Sequence, residues 1–341
     1  MAKQRLLIYG MMSCLSFLGA SSRPAAQDST HLRVNVVLVE LNVAVTDSKG
    51  NYVTGLNPSD FEVTEDKIPQ KVSTFEESNQ LSTGDEVSRP GEVSRKKSTD
   101  QAAATMLSAG DAAGVAMSHL NPSSVYVLFD TSNYMYRSFV FAQDAIADFI
   151  RSMDGASKIA FYSYCRDLSR SIQLTPDHYE VINGVRSSVA GDDAALYNSL
   201  LLTVKDAAPL KGRKAIVVFS NGPDNASSVP PEDVAELAQS TGTIIYIIST
   251  RQAQDDPASA AAFERMSKVS GGKAYFAKNW REERQAFASI KEDLVHLYTL
   301  SYYPQTNPNR GWRSIHVKLV GKDLQKYRIR TRDGYRLVAQ R

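Results

Sequence analysis

Two apolar runs constrain this chain more than anything else in it: SVYVLFD, ending at Asp130, and KAIVVF, followed by Ser220, Asn221 and Gly222. A strand that is apolar on both faces must be covered on both faces, which a single sheet achieves with helices above and below it. Each run stops at small polar residues. Each therefore delivers oxygens to the carboxyl edge of a parallel sheet, the edge at which ligands of open α/β sheets bind. At 341 residues the chain is too long for one ordinary core and implies two domains with tails.

The sequence around these runs fits the same sheet. Strand-like stretches at 125–130, 158–164, 169–174, 215–220, 243–249 and 273–276 alternate with helical patterns. Phe139, Ala142, Ile146, Phe149 and Ile150 share one helical face, and Leu196, Leu200 and Val204 share another. Pro231 and Glu232 suit a helix start, and Gly271-Gly272 a helix stop. The alternation predicts an α/β fold over residues 123–297: a doubly wound, mainly parallel, Rossmann-like sheet.

The flanks read differently. Residues 32–76 are Val-rich and alternating, with turns at Lys49-Gly50-Asn51 and Asp66-Lys67, and residues 298–337 return to a β pattern. Neither segment alone has enough strands to close a core. The two are expected to pair as one β-sandwich-like unit, with the α/β domain inserted between them. From 78 to 121 there is no aromatic residue, and small and charged residues dominate, the composition of a flexible linker.

Residues 1–26 have a basic start at Lys3 and Arg5, an apolar stretch from Leu6 to Leu18 and a small-residue finish. This is the layout of a secretory signal peptide rather than a membrane span, so the chain is expected to be exported, with no transmembrane span after processing. Cys14 lacks the leucine that usually precedes a lipid-attachment cysteine. Without this segment 36 Lys and Arg face 37 Asp and Glu, a balance that gives no reason to expect nucleic-acid binding. Cys165 is then the only cysteine, so no intrachain disulfide forms, and its place after IAFYSY predicts a buried small hydrophobe.

The segments DTSNY (Asp130 to Tyr134), GDDAALY (Gly191 to Tyr197) and Ser220-Asn221-Gly222 together resemble the von Willebrand factor type A domain. The flanking VTDSKGNYVTGLNPSDFEVTEDKIPQKVSTF, YTLSYYP and DGYR resemble exported bacterial proteins of the von Willebrand factor A-related type, abundant in acidobacteria. The resemblance implies an adhesion or protein-binding module. In that family Asp-x-Ser-x-Ser, a loop Thr and a strand-end Asp hold a divalent cation, the metal-ion-dependent adhesion site. Here Asp130 and Ser132 match, while Tyr134 replaces the last Ser, Ala194 the Thr and Asn221 the Asp.

A hard cation such as Mg²⁺ needs several oxygens, preferably charged, to replace its hydration shell. Ala194 offers none, Tyr134 carries its hydroxyl further out, and Asn221 keeps an oxygen but loses the charge. Asp192, Asp193 and Asp224 are the carboxylates close enough in sequence to compensate. The expectation is a degenerate site without a cofactor, in which Asp130 hydrogen-bonds to loop amides or to Asn221. The alternative is a metal-dependent adhesion module that keeps Mg²⁺, Mn²⁺ or Ca²⁺ on Asp130, Ser132 and substitute ligands.

Signs of catalysis are few. His31, His119, His178, His296 and His316 are scattered, and there is no nucleophile elbow or phosphate loop. Aspartyl-phosphate enzymes of the relevant type want a second Asp where Ser132 stands. An extracellular hydrolase is therefore the alternative to a non-enzymatic module that binds a protein partner at the cell envelope or outside the cell. The expected contact surface is the loop face around Asp130, Tyr134, Ala194 and Asn221. Finally, Arg328, Arg330 and Arg332 alternate along one strand and are expected to form a solvated basic stripe that discourages edge pairing. Contact with an anionic polymer or membrane surface is the alternative use of that stripe.

Overall fold

A computed structural model describes residues 38–78, 123–153, 157–250 and 256–337. The segment read as a signal peptide (1–26) and, apart from Ser78, the one read as a linker (78–121) lie outside the described residues. The N-terminal strands are β1 (Val39–Thr46), β2 (Phe61–Glu65), β3 (Ile68–Gln70) and β4 (Val72–Glu77). An α/β region follows, running β5 (Ser124–Asp130), α1 (Phe139–Ser152), β6 (Lys158–Tyr164), β7 (Leu168–Thr175), α2 (His178–Arg186) and α3 (Leu196–Ala207). It continues through β8 (Lys214–Phe219), α4 (Pro231–Thr241), β9 (Thr243–Thr250), α5 (Pro257–Ser270), β10 (Ala274–Ala277) and α6 (Trp280–Val295). The chain closes with β11 (Tyr298–Tyr302), β12 (Trp312–Leu319), β13 (Arg328–Arg330) and β14 (Gly334–Arg336). Among the described residues no helix is long and apolar enough to cross a membrane.

The α/β region is one six-stranded sheet in the order β10-β9-β8-β5-β6-β7, parallel except for β7, which returns antiparallel to β6. Strand β5 shows why the apolar runs demanded this arrangement. Val125, Val127 and Phe129 face α1, α2 and α6, packing with Ile146, Val181 and Phe287. Tyr126 and Leu128 face the opposite layer, with Leu200 of α3, Val234 of α4 and Phe263 of α5. Each large apolar side chain buried this way contributes roughly 1.5–3 kcal/mol.

The chain ends meet in two antiparallel four-stranded sheets, β13-β1-β11-β4 and β14-β12-β2-β3. β1 pairs with β11 and β13, and β12 pairs with β2, so N- and C-terminal segments complete each other's sheets. Val39, Leu41, Val43 and Val45 alternate inward from β1 onto Phe61, Val63, Ile315 and Leu319. Within this core the Glu65 carboxylate, 0% exposed, accepts from Arg313 at 2.8 Å and from the Tyr302 and Tyr335 hydroxyls at 2.9 Å each.

The arginines of the last strands correct the expected solvated stripe. Arg328 is exposed, but Arg330 and Arg332 turn into the junction with the α/β region. Arg330 Nη2 donates to both Asp293 oxygens at 2.5 Å, and its Nη1 to the Gly271 carbonyl. Arg332, 7% exposed, donates to the carbonyl of Gln239 and, at 2.7 Å, to that of Glu40. From the start of β8, Arg213 reaches the Leu294 carbonyl at 3.1 Å and Thr299 Oγ1 at 3.3 Å. The physical reason is common to all three. The amino edge of the sheet collects the C-termini of α4, α5 and α6, whose last carbonyls lack intrahelical donors and whose dipoles end negative.

Candidate functional site

Asp130 is the last residue of β5 and is fully buried. Its Oδ1 accepts from the Ser132 amide at 2.9 Å and its Oδ2 from Ser220 Oγ at 2.7 Å, while the Tyr164 hydroxyl donates to Ser220 Oγ at 3.0 Å. Burial pushes the Asp130 carboxyl above the ordinary carboxylate range, and the Ser132 and Ser220 hydrogen bonds counter that shift only in part. Ser132 Oγ, also fully buried, sits close enough to Asp130 to favour its charged form, yet makes no hydrogen bond of good geometry.

The replaced positions hold the surrounding loops together. Tyr134 lies half-buried on the 3₁₀ turn Asn133–Ser138, and its carbonyl accepts from Asn221 Nδ2 at 2.6 Å. That bond ties the loop after β5 to the end of β8, over a buried Met135. Ala194 is buried; its amide donates to Asn225 Oδ1 at 2.8 Å and its carbonyl accepts from the Asn225 and Ala226 amides at 3.0 and 3.1 Å. The Gly191 amide donates to the Thr131 carbonyl at 2.7 Å, closing the third side.

The three neighbouring carboxylates have separate positions. Asp224 accepts from the Tyr197 amide at 2.9 Å, at the N-terminus of α3, and from the Ser227 amide at 2.8 Å. Asp193 pairs with Arg166 at 3.2 Å and accepts from Asn225 Nδ2, also at 3.2 Å. The Asp192 carbonyl accepts from the Asn133 amide at 2.9 Å, and its carboxylate is exposed. As donors for a divalent cation, the motif positions thus offer one carboxylate, engaged on both oxygens, one buried hydroxyl, and the neutral oxygens of Asn221 and Tyr134. Among the described residues no three His, Cys, Asp or Glu side chains gather as metal ligands. Cys165, expected to be buried, is half-buried beside Gly191, where an added Cβ would come within 2.7 Å of its Sγ.

The same edge carries a feature that sequence reasoning missed. Tyr136, Val140 and Phe141 are 76, 63 and 63% exposed, and Trp280 is 50% exposed. α1 follows β5 and α6 follows β10, so both helices begin at the carboxyl edge, where Phe141 and Trp280 line one pocket with Asp144, Asp148 and Arg284. Val189, 81% exposed, lies in the loop that leads to Gly191 and Ala194. The available signal was that Val140 and Phe141 fall off the helical face set by Ala142, Ile146 and Phe149 and are nevertheless apolar.

The von Willebrand factor type A domain matches residues 124–289. No curated protein matches the chain. Similar solved structures include the conserved hypothetical protein BatB from Bacteroides thetaiotaomicron, 15% identical, covering 50% of this chain and 97% of that one with a TM-score of 0.43. The von Willebrand factor domain of the type V pili tip protein Mfa5 from Porphyromonas gingivalis is 12% identical, covering 51% and 95% with a TM-score of 0.44. Proximal thread matrix protein 1 from the mussel byssus, with a zinc-occupied MIDAS motif, is 13% identical, covering 51% and 48% with a TM-score of 0.43. The doubly wound sheet and the strand-end Asp130-Thr131-Ser132 lie within this match, and residues 124–289 form a von Willebrand factor type A domain.

Proposed function

We propose that this chain is an exported, non-enzymatic protein-binding module of the adhesion type, acting through the carboxyl-edge loop face, with a degenerate metal-ion-dependent adhesion site. The observation that carries the binding face is the exposed set Tyr136, Val140 and Phe141 on the turn and helix that follow Asp130 in the chain. Apolar side chains of this size on one edge suit the centre of a protein interface, where aromatic residues concentrate. In the proposed organisation the domain of residues 123–297 is carried on the β unit formed by 32–76 and 298–337. Export rests on the signal-like residues 1–26.

The degenerate-site reading is supported by the donor set. Ala194 has no side-chain oxygen, Asn221 turns its amide nitrogen to the Tyr134 carbonyl, and Asp224 and Asp193 are held by other partners. Coordination by Asp130 and Ser132 alone falls short of what Mg²⁺ needs in exchange for its waters. A second reading, cation binding through substitute ligands, is favoured by one observation: the buried Ser132 Oγ without a hydrogen-bond partner.

Two measurements test these readings. Capture of envelope or extracellular proteins should be equal in EDTA and in millimolar Mg²⁺, and should be lost with Tyr136→Ser combined with Phe141→Ser. Capture by that double variant at the wild-type level would refute the binding face. Thermal unfolding should not respond to Mg²⁺, Mn²⁺ or Ca²⁺, since a native-state ligand at about a hundredfold excess over its Kd would add about 2.7 kcal/mol. A saturable, EDTA-reversible rise that Asp130→Ala abolishes would establish the second reading instead.

A further inference from the structure

We propose that the carboxyl-edge face takes a basic partner segment, one that sets a lysine or arginine beside an apolar side chain. This deepens the protein-binding reading and rests on it. The loops of this face around β5, β6 and β8, residues 131–138, 165–167, 187–195 and 220–230, contain Asp167, Asp192, Asp193 and Asp224 against Arg137 and Arg166, with Asp130 just before the first of them. Arg166 is committed to Asp193. Asp167 and Asp192 are exposed and make no ion pair among the described residues. The buried Asp130 accepts from the Ser132 amide and the Ser220 hydroxyl, both neutral donors.

An independent observation points the same way. Ser132 Oγ, buried beside Asp130 and without a hydrogen bond of good geometry, has lone pairs open to a donor. A buried polar group left in that state costs about 1–3 kcal/mol. A cationic donor relieves it best, because charge-assisted hydrogen bonds are the stronger kind. The rim adds apolar area at Tyr136, Phe141 and Val189, and the two aromatic ring faces attract a lysine or arginine in their own right. A bound divalent cation would remove most of the negative charge of this face, so the sign of the preferred partner follows from the donor set. Such charge complementarity sets on-rate and partner choice more than it sets raw affinity.

The experiment uses the full chain in EDTA and two fluorescein-labelled nonapeptides, Trp-containing and otherwise identical, one built on lysine and one on glutamate. The lysine peptide is expected to bind about tenfold or more tightly than the glutamate peptide. Its affinity should fall about tenfold between about 50 and 500 mM salt, as screening of exposed charges requires. Asp167→Asn combined with Asp192→Asn should weaken it by a similar factor, whereas Glu62→Gln, on the outer face of the β unit, should leave it unchanged. Tighter binding of the glutamate peptide, or an equal loss in Glu62→Gln, would overturn the proposal. Should the two Asn changes have no effect while Tyr136→Ser with Phe141→Ser still abolishes protein capture, the binding face stands and the basic partner does not.

Discussion

At the amino edge of the parallel sheet, Arg213, Arg330 and Arg332 reach the C-terminal carbonyls of three helices, and Asp293 gathers Arg330 with the Tyr52 and Tyr246 hydroxyls, at 2.9 and 2.6 Å. At the carboxyl edge the helices present their N-termini, and the side chains that answer them are Asp224 for α3, 27 residues from the amide it holds, and the adjoining Asp256 for α5 and Asn279 for α6. The helix dipole accounts for the sign at both edges, cations below and carboxylates above. It does not account for the difference in commitment. Both edges are fastened by residues distant in sequence, Asp130 to Ser220 and Asn221 to Tyr134 at the carboxyl edge included, but only the carboxyl edge also keeps Asp167, Asp192, Tyr136 and Phe141 exposed around those bonds. A shared dipole chemistry thus makes a structural joint at one end and an open surface at the other.

The comparison breaks most readily at Asp293, which is 1% exposed and serves three partners across the junction. Removing one member of a buried, hydrogen-bonded ion pair leaves the other charge uncompensated, at a cost of about 3–5 kcal/mol. Asp293→Ala should therefore lower the urea unfolding free energy by that amount. A loss below about 1 kcal/mol, the range of an exposed pair, would show that the joint is held elsewhere. Gly272 offers the next effect. A Cβ there would come within 2.0 Å of the Ile245 carbonyl oxygen, a main-chain atom that cannot move alone. Gly272→Ala should cost about 1–3 kcal/mol by overpacking, measured in the same way, and a neutral result would mean that β9 and the end of α5 separate easily.

What the sequence disclosed follows from the physics of each feature. β5 and β8 were legible because an unbroken apolar run is readable without knowing its partners, and the α1 face because Ala142, Ile146 and Phe149 repeat at helical spacing. The joining of the two β segments was legible from deficiency, since neither has the strands to close a core. Arg330 and Arg332 were misread because alternation tells which residues share a strand face, not whether that face is covered. Their partners Asp293 and Gln239 lie 37 and 93 residues away. At the carboxyl edge, Asp130 and Asn221 could be placed because strand ends are visible in a sequence, whereas Ser132, Tyr134 and Ala194 were singled out only by the family resemblance. The bond from Asn221 to the Tyr134 carbonyl depends on loop conformation, which no periodicity records. Tyr136 and Phe141 escaped notice because a residue off the periodic face leaves no pattern.

The smallest effect expected is at Asp130, and it sharpens the comparison because its sign is opposite to that at the amino edge. Burial raises the folded-state pKa of this carboxyl above its unfolded value. A carboxyl shifted upward contributes stability that is fully present below the unfolded pKa, about 3.9, and is lost as pH rises through the folded pKa. At neutral pH the ionised Asp130 is therefore a burden on the fold, one that Asp293, with Arg330 beside it, does not share. Asp130→Asn removes the charge and keeps the geometry: its oxygen still accepts from the Ser132 amide. Ser220 Oγ already accepts from the Tyr164 hydroxyl and, at 3.2 Å, from the Gly222 amide, so it makes room for the new amide by turning its own hydrogen onto the Tyr164 oxygen. The variant should melt above the natural chain at pH 7, by about 2–4 °C for each kcal/mol gained. The difference should shrink as pH falls through the folded pKa and vanish well below about pH 3.9, where Asp130 is protonated in the folded and the unfolded chain alike. Melting curves of the two proteins across that range decide the matter. A variant that melts lower at pH 7 would show that the Asp130 charge is compensated in the native protein, and that the carboxyl edge is as fully fastened as the amino edge.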